Sequence, residues 1–216
     1  MTTAVISDLH VPFVDKKAFN ATLSIIKEEG VKQIVIAGDF CDCEAVSKFS
    51  KPLKKRDFSS EIAIAKHYID IISRLQLQTI FIIGNHENFI YKYICDKASE
   101  LSMLPELEIR NLLAMPKSWK VIPFNQHVII NGVIVRHGAK YSNNVLDQNL
   151  NMGVSSLQGH SHRLSLKHKR LFDGRIITAG ETGCLCSLDA DYNEHNNWCH
   201  GMALIEDNGF VRIIRL

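Results

Sequence analysis

The chain has 216 residues, 46% of them hydrophobic and 22% charged, which excludes a disordered tail and suffices for one sizeable buried core. Its 25 Lys and Arg against 23 Asp and Glu leave a net charge of +2, so no global field advertises a polyanion and any partner has to be argued from a local site. Six cysteines are too sparse for a secreted disulfide scaffold, and the apolar run up to Ile6 is too short for a signal peptide, so reduced thiols and a cytoplasmic protein without membrane spans are expected.

In chain order, Thr3 to Ile6 reads as a buried strand ending in Ser7-Asp8, and a helix with Phe19, Leu23 and Ile26 on one face follows. Gln33 to Ala37 is a second strand, ending in Gly38-Asp39. Ile62, Ala65, Ile69 and Ile72 give the next helix its apolar stripe, and Thr79 to Ile83 is a third strand, ending in Gly84-Asn85-His86. The front half is therefore β-α-β-α-β. Residues 88–117 combine helical spacing, two prolines and mixed charge, and read as a helical insertion near the rim of a site. From Trp119 onward tight turns take over. His127 to Ile130, the turn Asn131-Gly132 and Val133 to Arg136 make a hairpin; Ile176 to Ala179, Met202 to Ile205 and Val211 to Ile214 read as its continuation into a β-meander. Two facing sheets with helices outside would bury all of this in one domain spanning residues 1–216, since no repeat or linker divides it.

Ten histidines are many for this length, and half of them stand in short polar strings. The strings are Asp8-Leu9-His10, Gly38-Asp39-Phe40-Cys41-Asp42, Gly84-Asn85-His86-Glu87, His137-Gly138 and Gly159-His160-Ser161-His162. Strand ends at the carboxyl edge of an α/β sheet form one crevice, so strings far apart in sequence converge there. Taken singly, Asp8 and Asp39 would be helix caps, Asn85 and Asp42 turn formers, and each histidine a core residue with one backbone bond. Taken together, carboxylate, amide and imidazole groups suit borderline divalent ions. Two such ions about 3.5–4 Å apart clamp the attacking and leaving oxygens of a phosphoryl displacement. Glu87 reads as a charge at a helix N-terminus. Cys41-x-Cys43 and Cys184-x-Cys186 have spacers too short for a four-cysteine zinc site and read as packing residues.

The five strings resemble, in order, the blocks of the calcineurin-like metallophosphoesterases: Asp-x-His, Gly-Asp-x-x-Asp, Gly-Asn-His-Glu/Asp, His and Gly-His-x-His. The likeness runs from Asp8 to His162, and the C-terminal part is more loosely similar to compact phage and bacterial members. The resemblance implies a four-layer α/β/β/α sandwich with two facing mixed sheets flanked by helices, acting as a stand-alone phosphoester hydrolase. It implies Asp8, His10 and His162 on one metal, Asn85, His137 and His160 on the other, and Asp39 bridging both. His86 is left to donate a proton to the leaving oxygen or to stabilise charge, with the Asp42 carboxylate orienting it. His160 and His162 are expected to meet different ions, because a one-residue spacer in extended chain aims both rings to the same side about two residues' rise apart. Mn2+ is the favoured ion, with Zn2+, Fe, Ni2+ and Mg2+ left open.

One departure bears on substrate. Where the family's protein phosphatases carry Arg after the second Asp, this chain has Cys43. Without that fork for a phosphate dianion, a diester substrate is favoured over a monoester, with Arg136 or Arg163 as candidates to replace it. Two basic segments, one with Lys54 and Lys55 and one with Lys167 and Lys169, are placed to flank the crevice and contact a DNA or RNA backbone, or else are solvated loops. Trp198 reads as core packing or as a base-stacking surface. Phosphodiesterase or nuclease is thus the first reading, a phosphomonoesterase on a small molecule or phosphoprotein the second, and a non-catalytic metal-binding scaffold the third. Retention of His86 speaks against the scaffold.

Overall fold

Strands covered on both faces have no polar side to alternate with, and the first three strands follow that rule. In the computed structural model, which describes residues 1–48, 57–138, 142, 144–189 and 196–216, β1 (Thr3–Ile6), β2 (Gln33–Ile36) and β3 (Gln78–Ile82) lie parallel and are joined by α1 (Lys16–Glu28) and α2 (Phe58–Ser73). Both helices start on a capping aspartate: Asp15 accepts the amide of Ala18 and Asp57 that of Ser59. Side chains then alternate across each strand. Ala4, Ile6, Ile34, Ile36 and Phe81 face the helices and pack with Phe19, Ile26, Ile62, Ile69 and Ile72. Val5, Val35, Ile80 and Ile82 face the other way, into a layer shared with Val133, Val135 and Leu157.

That second layer is the space between two sheets. At one edge of the first sheet β4 (Lys120–Ile122) adds parallel to β3; at the other, β10 (Gly201–Ile205) and β11 (Val211–Arg215) form a hairpin antiparallel to β1. The second sheet comprises β5 (His127–Ile130), β6 (Val133–Arg136), β7 (Ser156–Gln158), β8 (Leu164–Arg170) and β9 (Ile176–Thr182), in the order β5-β6-β7-β9-β8. β7 runs parallel to both its neighbours. Outside it lies α5 (Val145–Leu150), with Leu150 on Ile177 and Ala179. The order is therefore helix, sheet, sheet, helix. After β3 come α3 (Asn85–Lys97), two 3-10 turns at Ser99–Leu101 and Pro105–Leu107, and α4 (Ile109–Leu112). Among the described residues no helix is long and apolar enough to cross a membrane.

Two expectations are corrected. The back half is not one meander, because the β10–β11 hairpin belongs to the first sheet: Met202 and Leu204 pack on its helix side while Ala203 and Ile205 face the gap between sheets. A strand apolar on both sides fits only where both faces are covered. The segment holding Lys167 and Lys169 is not a loop but the outer strand β8. Its charged run shields an exposed sheet edge from pairing with another chain.

Candidate metal centre

The strings gather at one edge. Asp8 and His10 follow β1, Asp39 follows β2, and Asn85 and His86 open α3 behind β3; His137 follows β6, and His160 and His162 follow β7. Both sheets therefore contribute, at the carboxyl ends of their parallel strands.

The backbone there is strained. Ten non-glycine residues among those described have φ in the left-handed region, and five of them are Asp8 (56°), His10 (44°), Asp39 (48°), His160 (69°) and His162 (59°). That conformation costs roughly 1–2 kcal/mol for a residue with a Cβ, so surrounding bonds must hold it. They do so by extending the β1–β2 ladder past both strand ends. The amide of Asp8 donates to the Gly38 carbonyl at 3.0 Å, that of His10 to Asp39 at 3.0 Å, and that of Val11 to Phe40 at 2.9 Å. The second sheet is fastened on by the His160 amide, which donates to the Asp8 carboxylate at 2.9 Å. Glycine is required for these approaches: a Cβ at Gly84 would overlap the carboxylate and amide of Asp39, and one at Gly159 would stand 2.6 Å from the Asp8 carboxylate.

Two donor sets result. Asp8, His10 and His162 each offer one ligand atom within 4.8 Å of the others, and so do Asp39, His137 and His160. The Nε2 atoms of His10 and His162 face each other at 3.1 Å, and His162 Nε2 is 3.4 Å from Asp8 Oδ1. Asp39 Oδ2 lies between the sets, 3.1 Å from His137 Nε2 and 3.9 Å from His10 Nε2. Asn85 Oδ1 joins the second set, 2.9 Å from His137 Nε2. Asp8 and Asp39 are 0% and 1% exposed, and carboxylates so deep require cations beside them. Convergent imidazole nitrogens and carboxylate oxygens fit a pair of divalent ions. His86 forms a third set with His10 and Asp39, its Nε2 3.8 Å from Asp39 Oδ2.

The far ring nitrogens fix each imidazole. His137 Nδ1–H donates to the Ala37 carbonyl at 2.8 Å, leaving Nε2 toward the site. His162 Nδ1 faces the Cys186 thiol at 3.9 Å, and the contact from Cys184, then burial, pushes that thiol's pKa up. Asp42 differs from expectation. Its carboxylate meets His10 Nδ1 at 3.2 Å and stands 3.9 Å from His86 Nδ1, which donates instead to the Asp42 backbone carbonyl. The Asp42 amide is tied to Val11, and the loop so held turns the side chain toward His10.

Burial alone would raise the Asp39 carboxyl, but His137, His86 and His10 hold it well below the usual carboxylate range. Asp8 is lowered in the same way, burial being outweighed by His162 beside it. Burial would lower His137, yet the Asp39 carboxylate pushes it up to about 10. His10 and His160 are pushed down, by burial first and then by His86 and His137. Without an ion, therefore, His137 keeps a proton where the second set would hold a cation. Its stabilising contribution to the metal-free fold is complete below its ordinary pKa of 6.5 and is lost as pH rises through about 10. Binding of Mn2+ at pH 7 is expected to release that proton, with affinity rising toward alkaline pH. Calorimetry in two buffers of different ionisation enthalpy counts the protons, and a count of zero would contradict the charge state assigned to His137.

Three neighbours carry more than their sequence signals. Glu87, 0% exposed, is a helix N-terminal residue as expected, but its carboxylate accepts the amides of Gly84 (2.8 Å), Cys41 (2.8 Å) and Asp39 (3.2 Å) and so clamps two strings together. Burial, then the Asp39 charge, pushes it up to about 7. Trp198 is not a core residue; half-buried, its ring meets that of His162 at 4.1 Å. Cys43 is buried with its amide on Glu61 at 2.7 Å, so the position where an Arg would stand faces away from solvent.

Of the substrate candidates, Arg163 is engaged by Glu181 at 2.8 Å and the Ser142 carbonyl at 2.6 Å. Arg136 borders a cavity beside His137. Lys167 and Lys169 reach Asp147 (2.6 Å) and Asn151 (3.2 Å), at and just beyond α5. Lys54 and Lys55 lie outside the described residues. The cysteine pairs do not form one cluster: Cys41 and Cys43 group with Glu61, Cys184 and Cys186 with His162.

A family model described as calcineurin-like phosphoesterase matches residues 1–213. The gene 54 protein of Mycobacterium phage L5 is 25% identical over 228 residues, covering 95% of this chain and 88% of that relative. Among solved structures, vacuolar protein sorting 29 of Cryptosporidium parvum aligns over 100% of this chain and 96% of its own at 13% identity, with a TM-score of 0.51. The E. coli phosphoesterase YfcE aligns over 100% and 99% at 14% identity, with a TM-score of 0.48. At 13% identity the likeness to vacuolar protein sorting 29 bears on the fold alone.

Proposed function

Because the chain belongs to the calcineurin-like phosphoesterase family, we propose that it is a two-metal phosphodiesterase acting on nucleic acid or nucleotides. The observation that carries the reading is the pair of donor sets meeting at Asp39 Oδ2, with His86 beside them. In this reading Asp8, His10 and His162 hold one ion, Asn85, His137 and His160 the other, and Asp39 both, with Mn2+ the favoured metal. Bound ions would supply charge neutralisation for the phosphoryl oxygens and a lowered pKa for water.

The remaining chemistry belongs to side chains. Asp8 and Asp39 stay ionised through the histidines around them. His86, its Nδ1–H held by the Asp42 carbonyl, turns Nε2 toward the crevice. Burial would lower its pKa, but Asp39 and the Asp42 carbonyl raise it, which favours the protonated ring that a departing oxygen needs. Asp42 positions two rings at once, His86 through its carbonyl and His10 through its carboxylate.

Preference for diesters is supported by Cys43 in the position after Asp42, where a buried thiol offers no guanidinium fork to a terminal dianion. The test compares bis-p-nitrophenyl phosphate with p-nitrophenyl phosphate in Mn2+. The diester is expected to give the higher kcat/KM. The reverse order would make the protein a phosphomonoesterase, and no turnover of either would favour a binding scaffold.

A further inference from the structure

A desolvated guanidinium without a counter-charge is costly, so part-buried arginines normally meet a carboxylate. Among the described residues, Arg163 pairs with Glu181, Arg212 with Glu29 and Glu206, Arg74 with Asp70, and Arg175 with Asp173. Arg110 places its donors on the carbonyls of Pro116 and Trp119, while Arg170 and Arg215 are exposed. Arg136, like Arg110, is part-buried with no ion pair, but unlike Arg110 it keeps a buried donor without an acceptor. One terminal nitrogen donates to Asn149 Oδ1 at 2.6 Å, and its Nε is buried without a partner.

Its surroundings hold it still without neutralising it. Asn149, 1% exposed, donates onward to Gln158 Oε1 at 2.9 Å, and Gln158 Nε2 is a second buried donor without a partner. Across the β5–β6 pair His127 stands opposite Arg136, and both line a cavity with Asn125, Gln126, His137 and Gly138. The cavity thus shares His137 with the second donor set.

We propose that this cavity binds a phosphate group of the substrate other than the one being cut, with Arg136 as its cation. The identity of that substrate rests on the phosphodiesterase reading above; the binding of the anion does not. A guanidinium offers donors only, in a planar fork that matches two phosphate oxygens. A neutral hydroxyl would leave its charge uncompensated. A neighbouring phosphate is the acceptor-rich group that accompanies the scissile diester in a nucleic acid chain. Selection for a second phosphate follows from the site itself, without help from the lysines of β8.

Calorimetric titration of the Mn2+-loaded protein with thymidine 3′,5′-bisphosphate and with thymidine 5′-phosphate reads the second phosphate, with chromatography of the mixture checking that both probes stay intact. The wild type is expected to bind the bisphosphate about tenfold more tightly or better, as charge-assisted hydrogen bonds allow. Arg136→Gln should bring the ratio close to one, and Arg136→Lys, with the charge but not the fork, should fall between. Because the ratio compares two ligands on one protein, general losses of fold or metal cancel. Equal affinities in the wild type, or an undiminished ratio in Arg136→Gln, overturn the proposal; if that variant does not fold, the wild-type ratio and Arg136→Lys decide. Hydrolysis of bis-p-nitrophenyl phosphate is scored separately. A bisphosphate preference in a protein that cleaves no ester would remove the enzymatic reading and keep the anion site, and cleavage without the preference would do the reverse.

Discussion

His86→Ala is expected to lower turnover of bis-p-nitrophenyl phosphate by roughly 100- to 10,000-fold, the range that follows removal of a general acid or base. Metal content should be unchanged. The geometry sets this ring apart from three of the other site histidines: the side chains of His10, His137 and His162 are 8%, 3% and 7% exposed, whereas that of His86 is 25% exposed and borders the crevice. Its Nδ1 is occupied by a backbone carbonyl, so the ring cannot turn away, and Nε2 is left for the substrate. Elemental analysis alongside kcat decides between two roles, since His86 also forms a donor set with His10 and Asp39. Loss of one ion equivalent in His86→Ala would make it a ligand and refute the assignment as proton donor.

The second large effect is on stability. Glu87→Ala removes the acceptor of three backbone amides, those of Gly84, Cys41 and Asp39, and leaves a cavity where the side chain was wholly buried. Each stranded amide costs roughly 1–3 kcal/mol, so a loss of roughly 3 kcal/mol or more in the metal-free protein is expected, a large share of a typical domain's stability. Glu87→Gln retains one acceptor oxygen but turns an amide group toward backbone donors, and should cost less than Glu87→Ala. Chemical denaturation measures both. A loss below about 1 kcal/mol in Glu87→Ala would mean that water replaces the carboxylate and that Glu87 is not the clamp described here.

Much of the site was legible because its chemistry is written in short strings at strand ends, and the strands that carry them are apolar on both sides. Ala4, Val5 and Ile6 are all buried, so a continuous run announces a central strand without any alternation. The rest depended on what a segment packs against. Ser156–Gln158 is a strand of three residues, too short for a period, and its outward polar side chain Gln158 belongs there only because Asn149 reaches it from α5. The β10–β11 hairpin was visible as a hairpin, yet which sheet it joins is decided by β1, some two hundred residues earlier in the chain. For Asp42 the residue type was informative but not the path of its backbone, which gives His86 a carbonyl and His10 the carboxylate. Glu87 stood inside a site string and Trp198 was open to a stacking role, but neither residue type told that Glu87 would take three backbone amides or that Trp198 would lie against His162.

Each donor set draws on both sheets: Asp8 and His10 with His162, and Asp39 with His137 and His160. An ion in either set is therefore also a rivet through two leaves, which elsewhere are held face to face by Val5, Val35, Val133, Val135 and Leu157. Apolar contact resists separation but tolerates sliding, whereas ligand bonds fix position as well as distance. The same atoms that would do the chemistry would thus also set the alignment of the two leaves at the open edge, where the His160 amide on Asp8 already ties one leaf to the other.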